Sequence, residues 1–418
     1  MDTIQDITQG MHELNFGMQE LNFPEEIIQD ILIRLPVKSL IKCISVCKTW
    51  RSMIINQSFI RAHLNDCDSH LLLLHKISAM EKLTFFGQRV VSKIIEEVHS
   101  VYYDNQAFDQ YNSKIEFPVS VQRKKQNFCI RVVGTCDGLV CLADDMFDYH
   151  YNFFIWNPAI RKLVTLPKPS VRLKTHREYD ASIGFGFDAR TNDYKVVRVV
   201  SLLEQPGTPT LAEVYSLATG TWSSLGRVSP TCLVTARATS NVFLNGVLHW
   251  PVDCRTNSGD LCSFILAFDL GKEVFSKIFM PKVIQRNFGL GLRLSISGDR
   301  KSVALFAVNT RRRCDEDCFL DIWVMKEHGR KESWTRLITL GPQGPERFLP
   351  TGPICFRKSG EVLLLVTSGS DKSRKELVSL DLVSKQLKKL GISGYQASDG
   401  DFYKESLLLL DKTDAESY

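Results

Sequence analysis

The residues that could do chemistry are scattered along this 418-residue chain, and their spacing decides what each can do. Gly184-Phe185-Gly186 opens like a phosphate-cradling glycine loop. It lacks the third glycine, and it falls in a strand hairpin where a dinucleotide fingerprint needs a helix start. The sequence contains no P-loop, no Gly-x-Ser-x-Gly elbow and no His-Glu-x-x-His pair. Its nine histidines lie apart, and His249 beside Trp250 reads as a packed strand residue rather than a base. Asp144-Asp145 and Asp315-Glu316-Asp317 fall in loops and read as solvated turns. Cys43/Cys47 and Cys314/Cys318 are four apart, but neither has a second Cys or His pair at zinc spacing. No catalytic residue, metal site or cofactor is therefore expected, and the chain is read as a non-enzyme. Groups converging from distant segments are the route to catalysis that this leaves open.

Bulk properties narrow the partners. A net charge of +5 is mild for this length. Arg123-Lys124-Lys125 and Arg311-Arg312-Arg313 are short and flank turns, and no basic face repeats along an element, so no nucleic-acid partner is expected. The longest apolar runs, residues 362–366 and 407–410, are far short of the roughly twenty residues of a membrane-spanning helix. The N-terminus carries Asp2, Asp6 and Glu13 without an apolar core, so it does not read as a signal peptide. These features predict a protein of the cytoplasm or nucleus, with its 12 cysteines as reduced thiols.

Two kinds of element must position whatever function remains. Residues 1–20 read as a polar tail. Residues 23–64 read as a compact helical module. Pro24 with Glu25 and Glu26 is a helix start, suited to the positive end of the helix dipole. Ile27, Ile28, Ile31, Leu32 and Leu35 recur at helical spacing, Pro36 stops the helix, and Val37, Leu40, Ile41 and Ile44 restart the pattern. Val46, Cys47, Trp50, Ile54 and Ile55 continue it. A segment this short cannot bury all of these groups within itself, so part of the stripe should face a partner.

From residue 128 a second pattern takes over. A tight hairpin recurs at residues 136–141, 187–197, 243–250, 297–305 and 358–364, each followed by a second hairpin at 154–167, 214–222, 266–275, 321–334 and 378–387. Four-stranded units in series are the signature of a β-propeller. Residues 394–410 supply one more hairpin, and 70–75 and 82–86 are spare strands. Joining them predicts six blades closed by both chain ends, with seven as the alternative. Residues 87–127 read as an irregular insertion with a short helix near 94–98. Trp156, Trp222, Trp250, Trp323 and Trp334 are expected at equivalent strand positions. The predicted fold is multidomain, α plus all-β. A helical module over 21–65 leads into a linker with closing strands and an insertion over 66–127, a propeller over 128–412 and a tail over 413–418.

The connections between hairpins and between blades are long, and in an up-and-down blade both kinds leave the same face. Loops gathered on one face are where a repeat protein binds. Tyr149, Tyr151, Arg172, Arg177, Tyr179, Arg286, Arg311, Arg312 and Phe348 are the candidate target contacts there, being of the types that dominate interfaces.

Leu21-Asn22-Phe23-Pro24-Glu25-Glu26-Ile27-Ile28, Arg34-Leu35-Pro36-Val37-Lys38-Ser39-Leu40 and Val46-Cys47-Lys48-Thr49-Trp50-Arg51-Ser52 resemble an F-box. Ile155-Trp156-Asn157-Pro158, Gly184-Phe185-Gly186-Phe187-Asp188, Asp193-Tyr194-Lys195-Val196-Val197 and Asn245-Gly246-Val247-Leu248-His249-Trp250 resemble the propeller-like F-box-associated domain of plant F-box proteins, the S-locus F-box-like family among them. The resemblance implies a substrate receptor of a Skp–cullin–F-box ubiquitin ligase. In that reading Phe23, Pro24, Ile28, Leu32, Leu35, Pro36, Leu40, Val46, Cys47 and Trp50 dock on a Skp-family adaptor, and through it on a cullin–RING ligase. The propeller loops hold a target protein for degradation. A non-degradative scaffold and a propeller enzyme or lectin-like binder are the alternatives.

Overall fold

The computed structural model describes residues 24–66 and most of 71–417, excluding chiefly 78–79, 86–88, 95–96, 113–114, 116–117, 119–120, 122–129, 145–151, 173–178, 203–208, 235–240, 256–260, 286–289, 310–317, 343–347 and 368–374; over 80–85 and 89–94 it describes the backbone alone. The chain divides into two compact units between Cys67 and Asp68.

The first unit holds α1 (Glu25–Ile33), α2 (Val37–Cys43), α3 (Lys48–Ile54) and α4 (Gln57–Asp66). Pro24 and Pro36 sit at the N-caps of α1 and α2, where a fixed φ helps and a missing N–H costs nothing. Cys47 caps α3, its Sγ accepting the Trp50 N–H at 3.4 Å. Leu32, Val37, Leu40, Ile54, Phe59, Ile60 and Leu64 form the core. Buried His63 on α4 lies 3.0 Å from the Leu35 carbonyl through Nε2, tying α4 to the end of α1.

The second unit begins with β1 (Leu71–Ile77), β2 (Met80–Phe85), β3 (Arg89–Ile94), β4 (Glu97–Tyr103) and β5 (Gln110–Asn112). Blade I follows as β6–β9 (Arg131–Cys136, Leu139–Asp144, Asn152–Asn157, Lys162–Thr165). Blade II is β10–β13 (Tyr179–Asp188, Asp193–Leu202, Thr210–Ser216, Thr221–Arg227) and blade III β14–β17 (Val242–Leu244, Val247–Arg255, Leu261–Asp269, Val274–Ile278). Blade IV is β18–β21 (Leu290–Ile296, Val303–Asn309, Phe319–Met325, Trp334–Leu340) and blade V β22–β25 (Leu349–Phe356, Val362–Thr367, Lys375–Leu380, Leu387–Ser393). The chain ends with β26 (Ala397–Tyr403) and β27 (Glu416–Ser417). Each blade is an antiparallel sheet in chain order. The sixth sheet runs β26-β1-β4-β5, so the ring has six blades and both ends of the unit close it.

The closing blade is made differently from the expectation. Among the described residues, 82–85 do not enter it; β2 pairs there with β3 alone, and residue 86 lies outside the described residues. The outer strands come from β4 and β5, inside the stretch read as an irregular insertion, and Glu97 and Val98 are extended rather than helical. Only one C-terminal strand takes part. Leu407, Leu408 and Leu409 are buried in a turn instead of forming a hairpin. The expected tail is also structured in part, since Glu416 and Ser417 pair with Leu163 and Lys162 as a fifth strand on blade I.

Local chemistry explains the motifs. Asn245 and Gly246 hold φ of 52° and 79°, the left-handed pair that a two-residue hairpin needs. Gly184 and Gly186 serve packing, not phosphate. A Cβ at Gly184 would lie 2.6 Å from the Trp250 ring and one at Gly186 would overlap Phe243, so the two glycines let blade III close on blade II. Gly186→Val should cost about 1–3 kcal/mol by overpacking, read as a lower urea midpoint, with Phe243→Ala relieving part of it. Asn157 reaches the C-terminal segment, its Nδ2 donating to the carbonyls of Ser406 at 2.9 Å and Leu408 at 2.8 Å. Lys195 joins blade II to III, with Nζ 2.8 Å from Asp188, 2.9 Å from Glu273 and 3.2 Å from the Leu270 carbonyl.

The tryptophans do not share one strand position. Trp222 and Trp334 begin fourth strands, and each indole N–H donates to the backbone of the preceding blade, at Pro167 (2.7 Å) and Phe279 (2.8 Å). Trp156 and Trp323 lie on third strands and Trp250 on a second. Among the described cysteines one pair differs from expectation: Cys254 and Cys262 face each other across β15 and β16 and are joined as a disulfide.

Candidate interaction surfaces

The apolar stripe of the helical unit divides between core and surface. On α1, Leu32 points inward at 1% exposure, while Ile27 and Ile31, one turn apart, are 45% and 55% exposed. Val46, between α2 and α3, is 63% exposed. Pro24, Pro36 and Cys47 are exposed and Ile28, Leu35 and Trp50 half-buried, so these can join the same surface. Leu32 and Leu40 are fully covered by the unit's own core and hold that surface rather than form it. Phe23 lies outside the described residues. The stripe was wider than one face, and the 100° step between residues sets Leu32 about 140° from Ile27 and about 100° from Ile31. That separation was the available signal for Ile27 and Ile31.

On the propeller, antiparallel pairing puts the strand ends that bear the long connections on one face. Tyr149, Tyr151, Arg177, Arg286, Arg311 and Arg312 lie outside the described residues. Of the others, Arg172 is exposed, with its Nε donating to the Pro169 carbonyl at 2.5 Å. Phe348 is half-buried beneath Lys389, whose Nζ is 5.0 Å from the ring centre. Tyr179 is fully buried and cannot reach a partner. Its ring lies 5.0 Å from the Arg198 guanidinium, itself paired with Glu213 at 2.8 Å inside blade II.

The six innermost strands enclose a cavity of about 90 Å³. Arg293 and Asp399 form an ion pair there at 2.5 Å. Burial pushes the Asp401 carboxyl up to about 6, although the backbone N–H groups of Thr135 and Phe402 donate to it at 3.0 and 2.8 Å. The Thr135 hydroxyl donates to the Phe402 carbonyl. His249 is fully buried on β15, with Nδ1 3.2 Å from the Val242 carbonyl and Nε2 2.8 Å from Nε2 of His328. Burial, and next the neighbouring His328, lowers its pKa to about 3. A depressed histidine contributes stability that is complete above the unfolded value near 6.5 and lost as pH falls towards the folded value. The unfolding free energy from urea titrations should therefore fall between pH 6.5 and 4.5 more steeply in the wild type than in His249→Gln, the difference in slope approaching about 1.4 kcal/mol per pH unit.

The sequence of the helical unit matches the F-box domain family over residues 21–61, and residues 92–395 match the family described as the F-box associated beta propeller domain. The chain is an F-box protein of the F-box-associated β-propeller family. Plant relatives extend the match across both units. An F-box/kelch-repeat protein of Arabidopsis thaliana is 28% identical over 319 residues, 76% of this chain and 79% of that protein. The F-box protein CPR1 of the same plant is 26% identical over 399 residues, 90% of this chain and 86% of that one. Among solved structures, a puromycin hydrolase mutant aligns with a TM-score of 0.41 and 12% identity, covering 66% of this chain and 41% of that one. A likeness at that level carries no argument about activity. The motif segments 155–158, 184–188, 193–197 and 245–250 thus belong to the F-box-associated domain, where they pack blades and anchor the chain end.

Proposed function

We propose that this F-box protein is the substrate-recognition subunit of a Skp–cullin–F-box ubiquitin ligase, acting in the cytoplasm or nucleus. The observation that carries the reading is the pair Ile27 and Ile31, apolar and about half exposed on α1 of an F-box. The helical unit docks on a Skp-family adaptor through these residues, Val46 and the flanking prolines. The loop face of the propeller, Arg172 included, holds a target protein. The receptor performs no bond chemistry; it raises the effective concentration of target lysines beside the recruited ubiquitin-carrying enzyme.

Proximity labelling with the full chain and with a chain lacking residues 21–61 tests this. Proteins labelled by both and stabilised by proteasome inhibition are the expected targets. Partners that are captured but unchanged in abundance would make the protein a scaffold instead.

A further inference from the structure

On the closing blade, three donor side chains leave one face of the sheet. His75 on β1 stands directly opposite His99 on β4, and Glu97 precedes His99 by two residues. Residues at i and i+2 share a face, and a directly opposed cross-strand residue shares it with them. Such a set offers three ligands to one side of a single ion. The donor atoms all lie within 4.8 Å of one another. Glu97 Oε1 is 2.9 Å from His75 Nε2 and also accepts the Ile130 N–H at 2.9 Å. His75 and His99 are 4% and 2% exposed and the Glu97 side chain 12%, so the group lies between the closing blade and blade I rather than in solvent.

We propose that His75, His99 and Glu97 form a binding site for a zinc-class divalent cation that ties β1 to β4 where the ring closes. Two imidazoles and one carboxylate are borderline donors that suit Zn²⁺, Co²⁺ or Ni²⁺ and disfavour Ca²⁺ and Mg²⁺, which take oxygen. The Ile130 N–H supplies an outer-shell bond that holds the carboxylate. His75 also lines the central cavity, which gives an ion and a water a way in. For the ion to bind, the ring proton of neutral His75 moves from Nε2 to Nδ1 through solvent, which frees the Nε2 lone pair, and Glu97 Oε1 gives its lone pair to the ion in place of that N–H. The two imidazoles stack 4.3 Å apart with planes 8° from parallel, so one ring must turn about its Cβ–Cγ bond for both lone pairs to converge. Sequence spacing conceals the set, because His75 and Glu97 are 22 residues apart.

The test uses the full-length protein, reduced and dialysed against micromolar Zn²⁺, with bound metal measured by plasma mass spectrometry. Co²⁺ serves as the spectroscopic probe. One ion per chain is expected, with Co²⁺ absorption of a nitrogen–oxygen site and no thiolate charge-transfer band. His99→Gln and Glu97→Gln should each weaken retention about ten-fold or more. A wild type that retains no ion overturns the proposal, as does retention unchanged in His75→Gln and His99→Gln. A thiolate band overturns it too, by assigning the metal to cysteines. If a variant fails to fold, the wild-type stoichiometry and Co²⁺ spectrum still decide.

Discussion

Replacing Ile27 and Ile31 together with Asp is expected to abolish capture of a Skp-family adaptor, a loss of about 100-fold or more. Each isoleucine buried on docking is worth about 1.5–3 kcal/mol, and roughly 1.4 kcal/mol is ten-fold in affinity. A carboxylate forced into the same dry contact adds a desolvation cost. The fold itself should be unaffected, because exposed substitutions away from special features change stability by about 0.5 kcal/mol or less. Leu32→Ala is the contrasting variant. It opens a cavity in the unit's core and should cost about 2–5 kcal/mol of stability, losing adaptor binding only because the helices loosen. Titration calorimetry beside thermal unfolding separates the two. Normal adaptor binding by the double Asp variant would remove α1 from the docking surface.

Asp104→Ala is expected to destabilise the propeller by about 3–5 kcal/mol, the usual consequence of breaking a buried ion pair from one side. Asp104 follows β4 in the closing blade, and Arg357 follows β22 in blade V. Their side chains are 1% and 2% exposed and meet at 3.0 Å. Asp104 also accepts the Lys358 N–H at 2.6 Å. Arg357 donates to Glu361 at 2.7 Å, to Ser379 at 3.2 Å and to the Asn105 carbonyl, and its guanidinium lies 5.1 Å from the Phe108 ring. The pair joins the first part of the ring to the last, so its loss should loosen the closure first. Asp104→Leu with Arg357→Met should recover part of the loss, since it removes both fully buried charges and parts from its arginine only Glu361, whose side chain is 30% exposed. Urea denaturation of the single and double variants measures both effects. A double variant no more stable than Asp104→Ala would mean that the packing of the closure, rather than its charge, is decisive.

The legible parts of the chain were those with a local period. The hairpins around Asn245-Gly246 and Cys136-Asp137-Gly138-Leu139 carry their turn residues in the sequence, and five blades follow from them in order. The closing blade was legible only at β1 and β26. β4 pairs with β1 across intervening chain and β5 with β4, and nothing in residues 97–112 repeats the pattern of the other blades. Tyr179 illustrates the limit for sites. It has the residue type of an interface anchor and stands beside a long loop, yet its ring is covered inside blade II next to Arg198.

By itself the sequence determined the helical unit, its proline-marked helix starts, the serial four-stranded units and membership of the F-box class. All of these rest on contacts between residues close in the chain, where turn chemistry and periodicity act directly. Only the tertiary structure decided which members of the α1 stripe remain outside, which strands close the ring, and that His75, Glu97, His99 and Asp399 lie together. β1 brings His75 opposite both His99 and Asp399, and Asp399 follows it by more than three hundred residues. Pairing over such a separation is set by the closure of the whole ring, in which β26 covers the edge that β1 would otherwise expose.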